Sequence, residues 1–384
     1  MSDLDALRRE FRQRFGAEPR VFRAPGRVNL IGGHVDYNDG WVLPLAINRD
    51  CFVLAGPRGD GLLRVRSREF GETVEAALPS KPSAEHHWSH YIFGVAWALG
   101  EADVPVVGAD LLIASDVPTG GGLSSSAALE VSVGLALSSL AGTRLDATAL
   151  ARACQRAENE FVGMRCGIMD QLAACYGRRD HALLIDCRTL AVHPVPLDST
   201  RVRVIVANTM TRHALAASEY NRRRRECEEA VRRISAARPG VTALRDVTWE
   251  QIEALAASWP DPIRRRARHV TTEIARVRAA AEALERGEYE TLGRLMLEAH
   301  HSLDEDYQVS SAELNLMVEL AGELPGVLGS RMTGGGFGGS TVHLVRAAAE
   351  DFFAPELARR YEARTGIRPE ITDCLPADGA NEIT

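Results

Sequence analysis

A chain of 384 residues, 45% hydrophobic and 25% charged, has the composition of a globular protein with room for two domains, which leaves out disorder and fibrous repeats. Its net charge of -7 gives no footprint for nucleic acid, and the run Arg222, Arg223, Arg224, Arg225 is followed at once by Glu226, Glu228 and Glu229, which reads as a solvated helix face. The seven cysteines are scattered without Cys-x-x-Cys pairs, and no stretch reaches the roughly 18 apolar residues a membrane span needs, so reduced thiols in a cytoplasmic protein are expected.

Leu4, Leu7, Phe11 and Phe15 recur at helical spacing and Gly16 follows them, predicting an opening helix on the outside of the first domain. A strand through Val21, Phe22 and Arg23 leads into residues 24–44, where turn formers interleave with polar groups; this predicts a site loop rather than a core strand. Arg27, Asn29, His34, Asp36, Asn38 and Asp39 offer one cation and several short donors and acceptors. Such a set suits a polyhydroxylated ligand, and equally a turn satisfied by its own Asx side chains. Strands are predicted at 51–54, 62–65 and 111–114. Between them, His86 to Tyr91 open a helix whose Trp88 and Tyr91 could stack on a base or fill a core.

The stretch Asp116-Val-Pro-Thr-Gly-Gly-Gly-Leu-Ser-Ser-Ser-Ala-Ala-Leu-Glu130 is the most informative in the chain. Gly120, Gly121 and Gly122 free the backbone, Leu123 follows, and Ser124, Ser125 and Ser126 stand where a helix begins, with Leu129, Val133, Leu137 and Leu140 continuing at helical spacing. Free N–H groups and the positive end of the helix dipole would face a phosphate there; the plainer alternative is a glycine turn capping a buried helix. No Lys precedes the serines, so this is not a Walker A loop, and helix dipole and metal must carry more of the charge. A second helix is predicted over 145–161. Asp170, between Met169 and Gln171, is a carboxylate in an apolar setting, either capping something or working as a base. Pro194 and Pro196, between strands at 183–187 and 202–207, predict a domain junction near 195, dividing the chain into 1–195 and 196–384. Helices follow over 219–237, 262–286 and 289–302. Gly334, Gly336 and Gly339 match G-x-G-x-x-G, but a β-branched strand follows instead of a helix, so a dinucleotide reading lacks its context.

Five stretches in order resemble the galactokinase branch of the GHMP sugar kinases, over residues 20–375 or so: Gly26-Arg-Val-Asn-Leu-Ile-Gly32 with His34-x-Asp-Tyr-Asn-Asp-Gly40, Pro118 to Ala128, Cys166-Gly-Ile-Met-Asp-Gln171, Ser218-Glu-Tyr220, and Met332-Thr-Gly-Gly-Gly-Phe-Gly-Gly339. The resemblance implies an α+β, two-domain GHMP kinase fold with ATP and sugar in the inter-domain cleft, and ATP- and Mg²⁺-dependent phosphorylation of an anomeric hydroxyl. Carried over by position, Asp170 would take that hydroxyl's proton with Arg27 beside it. His34, Asp36, Gly167 and Tyr220 would line the sugar. Gly120 to Ser126 would cradle ATP with Trp88 and Tyr91 near the adenine, and Ser126 and Glu158 would hold Mg²⁺. The implied partners are small molecules, sugar and ATP, for a monomer or small homo-oligomer.

Two positions depart from the family pattern: Gly33 stands where it has Glu, a ligand to the sugar's 6-hydroxyl, and Arg165 stands where it has Pro. Loss of charge and volume at Gly33 with a cation at Arg165 suggests a substrate modified beyond C5, either anionic, such as galacturonate, or chain-extended, such as an octose phosphate of lincosamide biosynthesis. Neutral change with Arg165 in solvent gives an ordinary galactokinase. A third expectation, from another class, is a catalytically silent sugar sensor, against which the intact Ser124 to Ala128, Arg27 and Asp170 speak.

Overall fold

The opening helix α1 (Leu4–Phe15) is fixed at both ends by its own sequence: Asp3 accepts from the Ala6 N–H at 3.0 Å, and Gly16 closes it in the left-handed conformation. Its Leu7 and Phe11 are fully buried against Val21, Phe52, Leu54 and Leu112. The computed structural model describes residues 3–78, 84–212 and 216–383. They form two units, one from Met1–Arg27, Ala46–Gly177 and Ala377–Thr384, the other from Val28–Leu45 and Arg178–Pro376.

The first unit takes β1 (Arg20–Ile31) as far as Arg27 and β2 (Trp41–Arg58) from Ala46, and β3 (Leu62–Ser67), β4 (Thr73–Ala77), α2 (His90–Gly100) and β5 (Gly108–Ser115) follow. Then come α3 (Ser125–Leu140), α4 (Ala147–Arg156) and α5 (Met169–Tyr176), and α2 to α5 pack on one another. Contrary to the site loop expected from residue 24, β1 runs to Ile31, and Ala24 to Ile31 are buried; the loop proper is 32–40. Pro25 and Gly26 looked like turn formers, yet a Cβ on Gly26 would lie 2.7 Å from the Leu123 carbonyl oxygen, so the glycine serves close approach of two backbones. Helix α3 is buried nearly all round, not on the one face that its leucine and valine spacing suggested.

The second unit holds the hairpin β6 (His181–Asp186) and β7 (Val192–Pro196), β8 (Val202–Arg212), α6 (Ala216–Ala237), α7 (Trp249–Ala256), α8 (Asp261–Glu285), α9 (Tyr289–Ser302), α10 (Ala312–Gly322), β9 (Val327–Thr333), β10 (Gly338–Arg346), α11 (Glu350–Thr365) and β11 (Glu370–Cys374). The unit changes at Gly177–Arg178, ahead of the junction expected near 195, because β6 pairs with Trp41 and Val42 and draws β7 with it. Pro194 and Pro196 therefore sit in an edge strand, where a missing N–H costs nothing. The antiparallel sheet β11-β8-β10-β9 buries Ile205, Ala207 and Val345 against Met317 and Leu320 of α10 and Phe353, Leu357 and Tyr361 of α11. The chain then returns to the first unit, where β12 (Asn381–Ile383) pairs antiparallel with β1 and completes the order β12-β1-β2-β5-β3-β4.

Among the described residues no helix is long and apolar enough to cross a membrane, and all seven cysteines are free thiols. The arginine run on α6 is not wholly a solvated face. Arg223 is buried and donates from Nε to the Tyr307 carbonyl at 2.8 Å, while Arg222 pairs with Glu226 at 3.0 Å.

Candidate active site

The glycine loop ends where α3 begins, and Arg27 of β1 is tied to it twice, through its N–H to the Leu123 carbonyl at 3.0 Å and through Nη1 to the Gly122 carbonyl at 2.6 Å. Gly120 and Gly122 have φ of 68° and 71°, the left-handed turns that let the loop fold back. The rest of the Arg27 fork grips Asp170 in the first turn of α5, Nε to Oδ1 at 2.7 Å and Nη2 to Oδ2 at 2.6 Å. Ser124 Oγ adds a third bond, to Oδ2 at 2.5 Å. The Arg27 side chain is 6% exposed and that of Asp170 28%, so the carboxylate has an open side while its cation is sealed behind it. A bidentate pair in this setting is both oriented and strong.

Behind the serines lie two more carboxylates. Glu130 of α3 is fully buried and Glu158, in the wide turn after α4, is nearly so. The Gln171 side-chain amide donates to both, at 3.1 Å and 2.8 Å, and the Ser126 hydroxyl and Cys166 thiol also bond Glu158. Burial, then the charge of the neighbouring carboxylates, raises both acids above the ordinary carboxylate range, and Glu130 Oε1 has no partner. Carboxylates whose ionisation is opposed by burial and by one another are ones that a divalent cation would relieve. No group of three His, Cys, Asp or Glu side chains among the described residues could cage one, so Glu158 and Ser126 suit Mg²⁺ that takes its remaining oxygens from water and phosphate.

Beside these serines a cavity of about 170 Å³ is lined by Phe70, Trp88, Tyr91, Ile113, Ser125, Ser126 and Leu129, among others. Phe70 and Trp88 stack with centroids 5.4 Å apart and planes 15° from parallel, and Trp88 Nε1 is held by Glu72 at 2.8 Å. Sequence reading missed Phe70 and Glu72. Phe70 follows β3 in a turn and is 50% exposed, and nothing in a single sequence separates such a ring from any other surface aromatic.

The remaining residues of interest belong to the second unit. In the loop 32–40 the Gly32 and Gly33 N–H groups donate to Glu273 Oε1 of α8 at 2.9 Å and 3.3 Å, and His269 Nε2 lies 3.0 Å from the Gly33 carbonyl oxygen. Burial alone would raise Glu273, but Arg276, His269 and Arg331 outweigh it and hold it at about 2. His34 sits at φ 61° with Nδ1 2.8 Å from Tyr37 OH, which is 2.8 Å from Tyr307 OH; the Tyr220 and Tyr307 rings flank His34 at 5.3 Å and 4.9 Å. Burial, helped by nearby positive charge, pushes His34 down to about 3, so the imidazole is neutral, and its Nε2 has no hydrogen bond of normal geometry. Asp36 and Tyr220 are half-buried.

The space beside Gly33 is filled. A Cβ there would lie 2.6 Å from Arg331 Nη2 and 3.2 Å from a Leu303 methyl, so the glycine does not by itself open room for a longer sugar. Arg331 is 1% exposed; burial, partly offset by Glu273, brings it down to about 10. Arg165 is exposed and belongs to the first unit with Gly167, Arg27 and Asp170, whereas Gly33 belongs to the second.

A guanidinium-gripped carboxylate at the foot of a glycine-serine loop, on this pair of units, defines a GHMP kinase. The GHMP kinases N terminal domain matches residues 90–178 and the GHMP kinases C terminal model residues 280–363, while the Galactokinase galactose-binding signature matches residues 9–57. A galactokinase of Roseiflexus sp. is 47% identical over 100% of this chain and 98% of its own length, and that of Homo sapiens is 44% identical over 99% and 96%. The solved structure of Lactococcus lactis galactokinase complexed with galactose, 34% identical, matches with a TM-score of 0.95 over 100% of both chains. Methanococcus jannaschii mevalonate kinase, 16% identical with a TM-score of 0.67 over 93% of this chain and 98% of that one, shares the fold alone. The chain belongs to the galactokinase family.

Proposed function

We propose that this protein transfers the γ-phosphoryl group of ATP to the anomeric hydroxyl of galactose, as an ordinary galactokinase. The observation that carries the reading is the Arg27–Asp170 fork beside the glycine loop, a positioned carboxylate and a fixed cation next to free helix N–H groups. Asp170 would accept or orient the proton of the attacking hydroxyl, and Arg27 would hold that carboxylate and face charge developing on the oxygen. Gly120 to Ser126 would hold the phosphates, with the base between Phe70, Trp88 and Tyr91. Mg²⁺, held by Ser126 and Glu158, would supply charge neutralisation on the transferring group. His34, Asp36 and Tyr220 supply the hydrogen-bonding and ring surface a galactose needs, and Gly167 lies three residues before Asp170. The sugar is galactose by likeness to the relatives named above, one of which was solved with galactose bound.

A second reading keeps one observation in its favour. The buried Arg331 guanidinium beside Gly33 has an Nε without a partner, and a carboxylate at C6 would answer it, so galacturonate stays in the comparison. Chain-extended sugars lose their support, since the volume that glycine vacates is taken.

Purified protein is expected to consume ATP with galactose, and the product phosphorus to couple to the anomeric proton in NMR. Phosphate on any other carbon, or preferred turnover of galacturonate, would overturn the galactose reading. Phe70→Ala should raise the KM for ATP by about three- to tenfold with little change in the sugar KM, because an aromatic stack is worth roughly 0.5–1.5 kcal/mol. An unchanged ATP KM would remove the base from this cavity.

A further inference from the structure

Three helices of this chain begin with a side-chain cap. Asp3, Asp146 and Ser311 each accept from the first turn of their helix, at 3.0, 2.9 and 3.3 Å. Ser124, the residue before α3, does not: its backbone is left-handed, φ 58° and ψ 49°, and its hydroxyl makes no cap bond. It donates instead to Asp170 Oδ2, 46 residues away. The arrangement gives up a cap and adopts a conformation that a non-glycine residue enters at a cost.

We propose that Ser124 is a positioning residue for phosphoryl transfer, which holds the Asp170 carboxylate in one rotamer and designates its Oδ1 as the oxygen that meets the sugar hydroxyl; this rests on the function proposed above. The assignment follows from lone pairs. Oδ2 accepts from both Arg27 Nη2 and Ser124 Oγ, which fills its two in-plane positions, whereas Oδ1 accepts only from Arg27 Nε among the bonds described and keeps one free. The Arg27 fork fixes the carboxylate plane, and Ser124 fixes which edge is closed. Turning the hydroxyl away from the helix also leaves the first N–H groups of α3 for an anion, so one residue serves both halves of the reaction.

The test uses the full chain and a substitution whose effects on stability and rate have opposite signs. Ser124→Gly relieves the left-handed backbone and removes the hydroxyl. Tm is expected to rise by about 2–4 °C, while kcat falls by about ten- to a hundredfold with the ATP KM within about twofold. Ser124→Ala, which keeps the strain and loses the hydroxyl, should lose the same kcat without the gain in Tm. In an Asp170→Asn background, Ser124→Gly should cost kcat nothing further, because it acts through that carboxylate. The assays use whichever of galactose and galacturonate the wild type turns over. If Ser124→Gly keeps wild-type kcat, or costs the same factor with Asp170→Asn in place, the positioning role is overturned while the functional reading stands. A wild type that phosphorylates neither sugar overturns both.

Discussion

Asp170→Asn is expected to lower kcat by about 10² to 10⁴ while leaving nucleotide affinity within a few fold, since in the proposed reaction the side chain acts on the sugar hydroxyl and not on the ATP. The geometry makes the substitution more severe than loss of a base alone. Arg27 is 6% exposed and spends two of its donors on this carboxylate, so a neutral amide leaves a buried guanidinium without its counter-charge, with one amide oxygen and the Gly122 carbonyl as its acceptors. The amide must also turn an N–H₂ toward one of the arginine's own donors. Arg27→Lys should not rescue an Arg27→Ala loss, because an ammonium cannot span Oδ1, Oδ2 and the Gly122 oxygen together. Steady-state kinetics with ADP or ATP binding measured separately decide it. A variant at Asp170 with near wild-type kcat would mean that the hydroxyl loses its proton without this residue.

The parts of this site that could be read from the sequence are those made by neighbours in the chain. Gly120 to Ser126 carries its own instructions: glycines for left-handed turns, hydroxyls at a helix start, and an apolar run behind. Asp170 could be singled out because a carboxylate in an apolar stretch asks for a partner. Its partner Arg27 lies 143 residues away, and no local signal joins the two; position in a family pattern did. The surroundings of Gly33 were misread for the same reason. Glu273 is 240 residues from it, and Arg331 fills the space the missing side chain seemed to leave, so an absence in the sequence became a packed contact in the fold. Likewise Gly26 looked like a turn because spacing cannot tell a glycine that bends a chain from one that lets another backbone come close.

The same lesson, applied to stability, gives the largest effect expected away from Arg27 and Asp170. Gly293 in α9 and Gly329 in β9 touch backbone to backbone: a Cβ on Gly293 would lie 2.0 Å from the Leu328 carbonyl oxygen, and one on Gly329 would lie 2.2 Å from the Gly293 oxygen. Neither obstacle is a side-chain tip that could swing aside. Gly293→Ala, ordinarily a mild gain in a helix, should therefore destabilise by about 3–5 kcal/mol, above the usual range for overpacking because helix or strand must move bodily. For a unit of this size that corresponds to a fall in Tm of roughly 6–20 °C, read by calorimetry. The displacement reaches the residues proposed for the sugar through β9, which carries Arg331, whose Nη1 donates to the Asn29 carbonyl at 3.2 Å, and through the Met332 N–H, which donates to His300 of α9 at 3.3 Å. A protein that still folds at lower temperature should thus show a raised sugar KM with its ATP KM unchanged, since the glycine loop and the Phe70–Trp88 cavity proposed for ATP belong to the first unit. A Tm within about 2 °C of wild type would show that α9 and β9 can part without cost, and that their glycines are not what sets the distance between them.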